Sequence, residues 1–329
     1  MTLVKKFLKT IIVFAIAFAG AIAFWASQPI TGADQPPIEF TIKSGSGVRG
    51  VTQQIANAGV PVEPILLEIL ARANGKGTRM KAGNYELKPG TTPIRLINQL
   101  VRGEFAQESL VVIEGWTFKQ MRQAIAEHTG LKHDTAAMSE QDLLAKIAPD
   151  YKSPEGLFFP DTYLFAKGAS DLQVYRQAHA LLMKRLNDAW AKRDPALPYT
   201  TPYEALTMAS IVEKETGQKS ERDMIAGVFV NRLKRGMLLQ TDPTVIYGMG
   251  EQYQGNIRKR DLQTDTPYNT YTRAGLPPTP IALPGAEALT AAFNPAKTDA
   301  LYFVSRGNGS SQFSSNLSDH NNAVNKYQR

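Results

Sequence analysis

Ile11 to Ala26 form a run of sixteen residues without a charge or a strongly polar side chain. Lys5, Lys6 and Lys9 precede it, and the polar, proline-containing QPITGADQPP (Gln28 to Pro37) follows it. In hydrocarbon a segment must satisfy every backbone N–H and C=O internally, so a single run of this kind is compatible only with a helix. A span usually takes about 20 residues. Phe7 and Leu8 extend the run and Lys9 can snorkel to the surface. The lysine flank predicts a cytoplasmic N-terminus, with everything after Gln28 exported. Ala21-Ile22-Ala23 has the small-x-small form of a signal-peptidase site. Phe24 and Trp25 follow it directly, however, and Trp25 suits a membrane interface. A retained anchor is therefore expected, with residues 1–9 cytoplasmic, 10–27 spanning and 28–37 a linker.

The 329 residues are 43% hydrophobic, enough to build a core after the anchor. The absence of cysteine excludes disulfides, thiolate nucleophiles and cysteine-rich zinc motifs. The four histidines, His128, His133, His179 and His320, form no His-x-x-x-His or HExxH pair, so neither a metal site nor a cofactor is expected. The net charge of +7 suits an anionic surface or wall polymer. It is not gathered into a basic, aromatic-interleaved run, so no nucleic-acid partner is expected.

In Ile38 to Lys43 the alternation of Ile38, Phe40 and Ile42 predicts a strand. Gly45, Gly47 and Gly50 then spell G-x-G-x-x-G, but a dinucleotide fingerprint needs a second parallel strand about 20 residues on. A helix at Pro64 to Ala73 stands there instead, so the glycines read as a turn. A strand at Ala82 to Pro89 and a helix at Thr92 to Arg102 complete the segment, whose strand-helix-helix-strand order resembles the small glycan-binding LysM fold. Beyond Leu110 to Glu114, helices are expected at Phe118 to Glu127, Glu140 to Ile147 and Ser170 to Arg193, the last opened by a Ser170–Gln173 capping box. Glu155 to Tyr163 (EGLFFPDTY) is an aromatic loop of the kind that usually packs, although exposed aromatic faces also suit sugar rings.

Thr201-Pro202-Tyr203-Glu204 combines an N-cap Thr, a first-turn Pro and a Glu at the third helical position, so a helix begins there and runs to Gly217. Ala205, Met208, Ala209 and Val212 form its apolar stripe, with Glu213 and Glu215 on opposite flanks. A second helix follows, with Ser220 and Asp223 as its cap and Gly236 as its stop, making a helical hairpin. The two glutamates are either solvated or paired with Lys219 or Arg222 on an ordinary packing helix, or they serve chemistry. A carboxyl group pressed against an apolar wall loses stability in its charged form and becomes a usable general acid near neutral pH. Periodicity does not separate Glu215 from Glu213. The polar segments Gln240 to Thr244, Pro267 to Tyr271 and Gly275 to Pro278 are the loops expected to carry binding residues.

Several stretches resemble, in order, the endolytic murein transglycosylases of the MltG (YceG-like) family. They are EGLFFPDTY, MASIVEKET (Met208 to Thr216), SERD (Ser220 to Asp223), VFVNRL (Val228 to Leu233), LQTDPTVIYGMG (Leu239 to Gly250), YNTY with GLPP (Tyr268 to Pro278) and NPAKT (Asn294 to Thr298). The resemblance implies an α+β protein with a single N-terminal transmembrane helix, a LysM-like βααβ subdomain over 38–105 and a mixed α+β catalytic domain over 106–329 carrying the helical hairpin. It implies an enzyme of the cell (inner) membrane whose catalytic domain faces the periplasm or cell exterior, cutting the MurNAc–GlcNAc bond of nascent glycan strands and leaving 1,6-anhydroMurNAc ends. It implies penicillin-binding synthases as partners, and it selects Glu215, the second Glu of Glu213-Lys214-Glu215, as the proton-transfer residue. Glu213, Gln240, Asp242, Tyr247, Asn269 and Tyr271 are then expected to bind sugar or to position Glu215. A hydrolytic muramidase would instead need a second carboxylate or a positioned water, and Asp242 or Asp161 could serve.

Overall fold

The computed structural model describes residues 2–328. Thr2–Ser27 form a helix (α1), of which Lys5–Ser27, 23 residues with a mean hydropathy of 2.3, is long and apolar enough to cross a membrane. At 1.5 Å per residue it measures about 35 Å against a hydrocarbon thickness of about 30 Å. Its far end turns from lipid-suited to protein-packed: Ile22, Trp25 and Ala26 lie against the core of the first folded unit, while Phe24 stays exposed. Trp25, expected at a membrane interface, thus spends part of its ring on protein.

That first unit comprises residues 1–108 with 164–169. Strand β1 (Ile38–Ile42) leads into α2 (Val48–Asn57) and α3 (Pro64–Ala73), and β2 (Gly83–Leu87) is followed by α4 (Pro93–Arg102). β1 and β2 are antiparallel, pairing Ile38 with Leu87 and Phe40 with Tyr85. This excludes the parallel unit a dinucleotide would need; Gly45, at φ +79°, makes the turn and Gly47 caps α2. Phe40 stacks on Tyr85 at 5.5 Å over Ile55, Leu67, Leu96, Ile97 and Leu100. Gly83 is required: at φ +150°, a Cβ there would lie 2.4 Å from the Phe105 ring.

The second unit comprises residues 109–163 and 170–329, and the chain passes between the two along β3 (Gln107–Val111), β5 (Thr162–Ala166) and β6 (Ala169–Ser170). Around its core run α5 (Phe118–Glu127), β4 (Leu131–Lys132), α6 (Glu140–Ile147), α7 (Asp171–Ala191), α8 (Pro202–Glu215), α9 (Arg222–Lys234), α10 (Asp242–Met249), α11 (Lys259–Gln263) and α12 (Ala286–Phe293). The hairpin β7 (Tyr302–Ser305) and β8 (Ser311–Ser314), then α13 (Leu317–Tyr327), close the chain. Thr117 with Gln120, and Ser139 with Asp142, form reciprocal caps on α5 and α6. Ser170 occupies the N-cap of α7, but its side chain makes no cap bond. The expected Ser220–Asp223 cap is absent too. A 3-10 turn at Lys219–Glu221 leads into α9, and Asp223 bonds its neighbour's N–H. Gly236, at φ +67°, marks the stop as expected.

The loop at Glu155 to Tyr163 does not offer a sugar-stacking face. Leu157, Phe158 and Phe159 are buried, and Phe158 packs on Phe118 and Tyr175. α8 also differs from its expected one-sided pattern, since every residue from Ala205 to Val212 is buried. Its small residues let a second surface close on it, and its main partner is α12, whose Ala288, Ala291 and Ala292 are likewise small and buried. Gly227 of α9 serves the same close packing, because a Cβ there would lie 2.8 Å from the Ala296 carbonyl.

Candidate active site

Thr201 Oγ1 accepts from Glu204 N at 3.2 Å and Glu204 Oε2 accepts from Thr200 N at 2.6 Å, which fixes the start of α8 and therefore where its last turn falls. That turn delivers Glu215 to a cleft of about 870 Å³ lined by Gln240, Asp242, Tyr271, Arg232, Tyr302 and His320 among others. Glu215 Oε2 accepts a 2.5 Å hydrogen bond from Thr241 Oγ1. Thr241 is the N-cap residue of α10 and is buried among hydroxyls. Its N–H donates to Thr270 Oγ1 at 3.1 Å, and Thr244 Oγ1 donates to its carbonyl at 2.8 Å. Gln240 carries the one non-glycine positive φ among the described residues, +48°, beside this bond. Held backbone strain of this kind gathers at functional sites. Asp242 begins a helix rather than a loop, with Pro243 in the first turn. Its Oδ1 accepts from Tyr271 Oη at 2.6 Å.

Burial raises the Glu215 carboxyl above the usual carboxylate range, and the negative charge of Asp242 adds to this. The Thr241 hydroxyl and the Arg232 charge oppose it. Burial, then the Asp242 contact, raises the Tyr271 phenol, so Tyr271 stays a neutral donor.

Glu213 leaves α8 on the other flank and does not line the cleft. Its carboxylate accepts from Arg222 Nη2 at 2.9 Å and from Gly285 N at 2.9 Å, with the two side chains only 7% and 5% exposed. Of the two cations the sequence offered, Arg222 takes Glu213, while Lys219 pairs with Glu287. Asn269 is fully buried and also lies outside the cleft. Its Nδ2 donates to the carbonyls of Asp261, Leu262 and Thr264, and its Oδ1 accepts from Tyr271 N at 2.8 Å, which sets the loop that presents Tyr271. Tyr247 donates to Glu155 Oε2 at 3.2 Å and packs on Tyr268 at 4.9 Å. Glu155, pushed by burial to about 7, also accepts from Phe118 N. Asp161 is exposed and away from the cleft. Among the described residues no cluster of three or more His, Cys, Asp or Glu is placed to hold a metal.

Thr241, Thr270, Arg232 and the wall formed by Tyr302 and His320 went unnamed as site residues in the sequence reading. Thr241 had a signal, since Thr-Asp-Pro is an N-cap followed by a first-turn proline. The C-terminal wall had none, because its approach to Glu215 is entirely long-range.

The YceG-like family model matches residues 40–326. The endolytic murein transglycosylase of Bacillus subtilis (strain 168) is 31% identical over 319 residues, covering 91% of this chain and 87% of that protein. The endolytic murein transglycosylase of Streptococcus pneumoniae (strain D39) is 27% identical, covering 98% of this chain, which spans 65% of that longer protein. The crystal structure of a yceG-like protein from Listeria monocytogenes superposes with a TM-score of 0.55 at 30% identity, over 87% of this chain and 98% of the other. With a family pattern running from β1 into α13 and a relative alike over nine-tenths of its length, the chain belongs to the YceG-like family.

Proposed function

We propose that the chain is an endolytic murein transglycosylase, a membrane-anchored enzyme that cuts the MurNAc–GlcNAc bond within nascent peptidoglycan strands and leaves 1,6-anhydroMurNAc ends. The observation that carries this reading is Glu215, a carboxyl group biased towards its protonated form at the wall of an open cleft, in a chain whose relatives bear that name. Protonated Glu215 donates to the glycosidic oxygen as its bond to C1 breaks. The resulting carboxylate takes the proton of the MurNAc C6 hydroxyl as that oxygen closes onto C1. The carboxyl group is restored and no water is consumed. Gln240, Asp242 and Tyr271 contact the sugar, while Glu213, Asn269 and Tyr247 hold the elements that present them.

The rest of the proposal follows from organisation. α1 anchors the chain in the inner membrane with the remainder periplasmic, supported by its apolar length and lysine flank. Residues 38–105 serve as a LysM-like glycan-binding subdomain beside a catalytic domain at 106–329, supported by the strand-helix-helix-strand order. Peptidoglycan synthases of the penicillin-binding class, which make the strands, are the partners.

If Glu215 is the acid, strand shortening by the detergent-solubilised chain falls as pH rises through its raised pKa. Thr241→Val removes a hydrogen bond that favours the carboxylate, so the alkaline limb of the rate profile moves to higher pH. Asp242→Asn removes a charge that favours the protonated form, so the limb moves to lower pH. Shifts in the same direction, or none, would remove Glu215 from the acid role.

A further inference from the structure

Arg232, from the VFVNRL stretch on α9, is 7% exposed, yet no carboxylate pairs with it among the described residues. Its Nε donates to Leu301 O at 2.6 Å, and Nη1 donates to Leu239 O at 2.7 Å and Leu238 O at 3.4 Å. Three of the five N–H groups are thus fixed by main-chain carbonyls, which locks the plane of the guanidinium. Among the described residues no acceptor stands against the two on Nη2. Arg232 lines the same cleft as Glu215, and the two side chains feel each other's charge. The Tyr302 ring lies 5.2 Å from its guanidinium carbon and stacks on His320 at 5.1 Å and 25°. Burial and the nearby Arg232 lower the His320 pKa, so this wall offers flat aromatic surface rather than a second cation.

Burying a charge without an anion is costly. A rigid guanidinium with one free edge is the geometry that recognises planar oxygen acceptors. We propose that Arg232 is a substrate anchor whose Nη2 edge binds a carbonyl-type oxygen on the saccharide unit seated beside Glu215 against the Tyr302–His320 wall. This rests on the peptidoglycan reading. Two substituents carry such an oxygen: the acetamido group, present on both sugars of the strand, and the lactyl group, present on the muramyl sugar alone.

The test uses the full-length Glu215→Gln chain in detergent, which binds without cutting, titrated with muramyl-containing glycan oligomers and separately with GlcNAc oligomers. Adding Arg232→Lys keeps the charge but removes the fork, and is expected to weaken binding of muramyl oligomers about 10- to 100-fold, the value of a hydrogen bond to a charged group. An equal loss with GlcNAc oligomers assigns the acetamido oxygen; a loss confined to muramyl oligomers assigns the lactyl group. If Arg232→Lys does not fold, arginine side-chain NMR of the Glu215→Gln chain decides, since the Arg232 Nη resonances shift on binding. Unchanged affinity in a folded variant, or unmoved resonances, overturns the anchor alone. Failure of the Glu215→Gln chain to bind either oligomer overturns the peptidoglycan reading and the anchor with it.

Discussion

Glu215→Gln is expected to lower strand cleavage by about 10²- to 10⁴-fold or more, while folding and glycan binding stay near wild type. Gln preserves the shape of the side chain and can still accept from Thr241 Oγ1 through its amide oxygen. It can neither give up an acidic proton nor take one. At about 1.4 kcal/mol per factor of ten, the loss corresponds to about 3–5 kcal/mol of barrier. One residue is assigned both proton transfers, so the upper end is expected. Retention of more than about a tenth of wild-type activity lies outside the range for a general acid and would move the role elsewhere.

Breaking the Glu213–Arg222 pair is expected to destabilise the second unit by about 3–5 kcal/mol, read from the urea midpoint of that unit. Both side chains are almost fully buried, so removing one leaves the other uncompensated. Glu213→Leu leaves Arg222, among the described residues, only the half-exposed Glu287 at 3.3 Å. Arg222→Leu strands a carboxyl group already raised by burial, which can neutralise itself. Its folded pKa rises further above the unfolded one, so the cost of Arg222→Leu shrinks on acidification towards the unfolded carboxylate range and is largest above the folded pKa. The double variant, Glu213→Leu with Arg222→Leu, is expected to recover most of the loss, since apolar replacement of a buried pair is often nearly neutral. A double variant as unstable as either single one would show that the pair is not what holds this turn.

How far the sequence disclosed this arrangement depended on whether the governing contact was local. The start of α8 was legible because Thr201, Pro202 and Glu204 act within one turn. The opposite flanks of Glu213 and Glu215 were legible because helical geometry alone places them. Arg222 as a partner of Glu213 was legible as well, being nine residues on across one turn, whereas Gly285, Thr241 and Arg232 were not, because they arrive from other parts of the chain. Periodicity also misjudged α8, which is packed all round; small side chains read as weakly apolar, yet they are what lets α12 close on it. The aromatic pair Phe158 and Phe159 carried two readings in sequence, and burial against α5 and α7 leaves only the packing one.

On the proposed mechanism a single carboxyl group carries both proton transfers, and the sugar's own hydroxyl, not water, attacks C1. Asp242 lines the same cleft as Glu215 and is the one rival side-chain carboxylate that does among the described residues, so a hydrolytic mechanism has a defined candidate. Digesting purified glycan strands in ¹⁸O-labelled water and weighing the new ends separates the two. Every new end is expected to be one water lighter than a reducing sugar and free of label; reducing ends carrying ¹⁸O would contradict the transglycosylase mechanism.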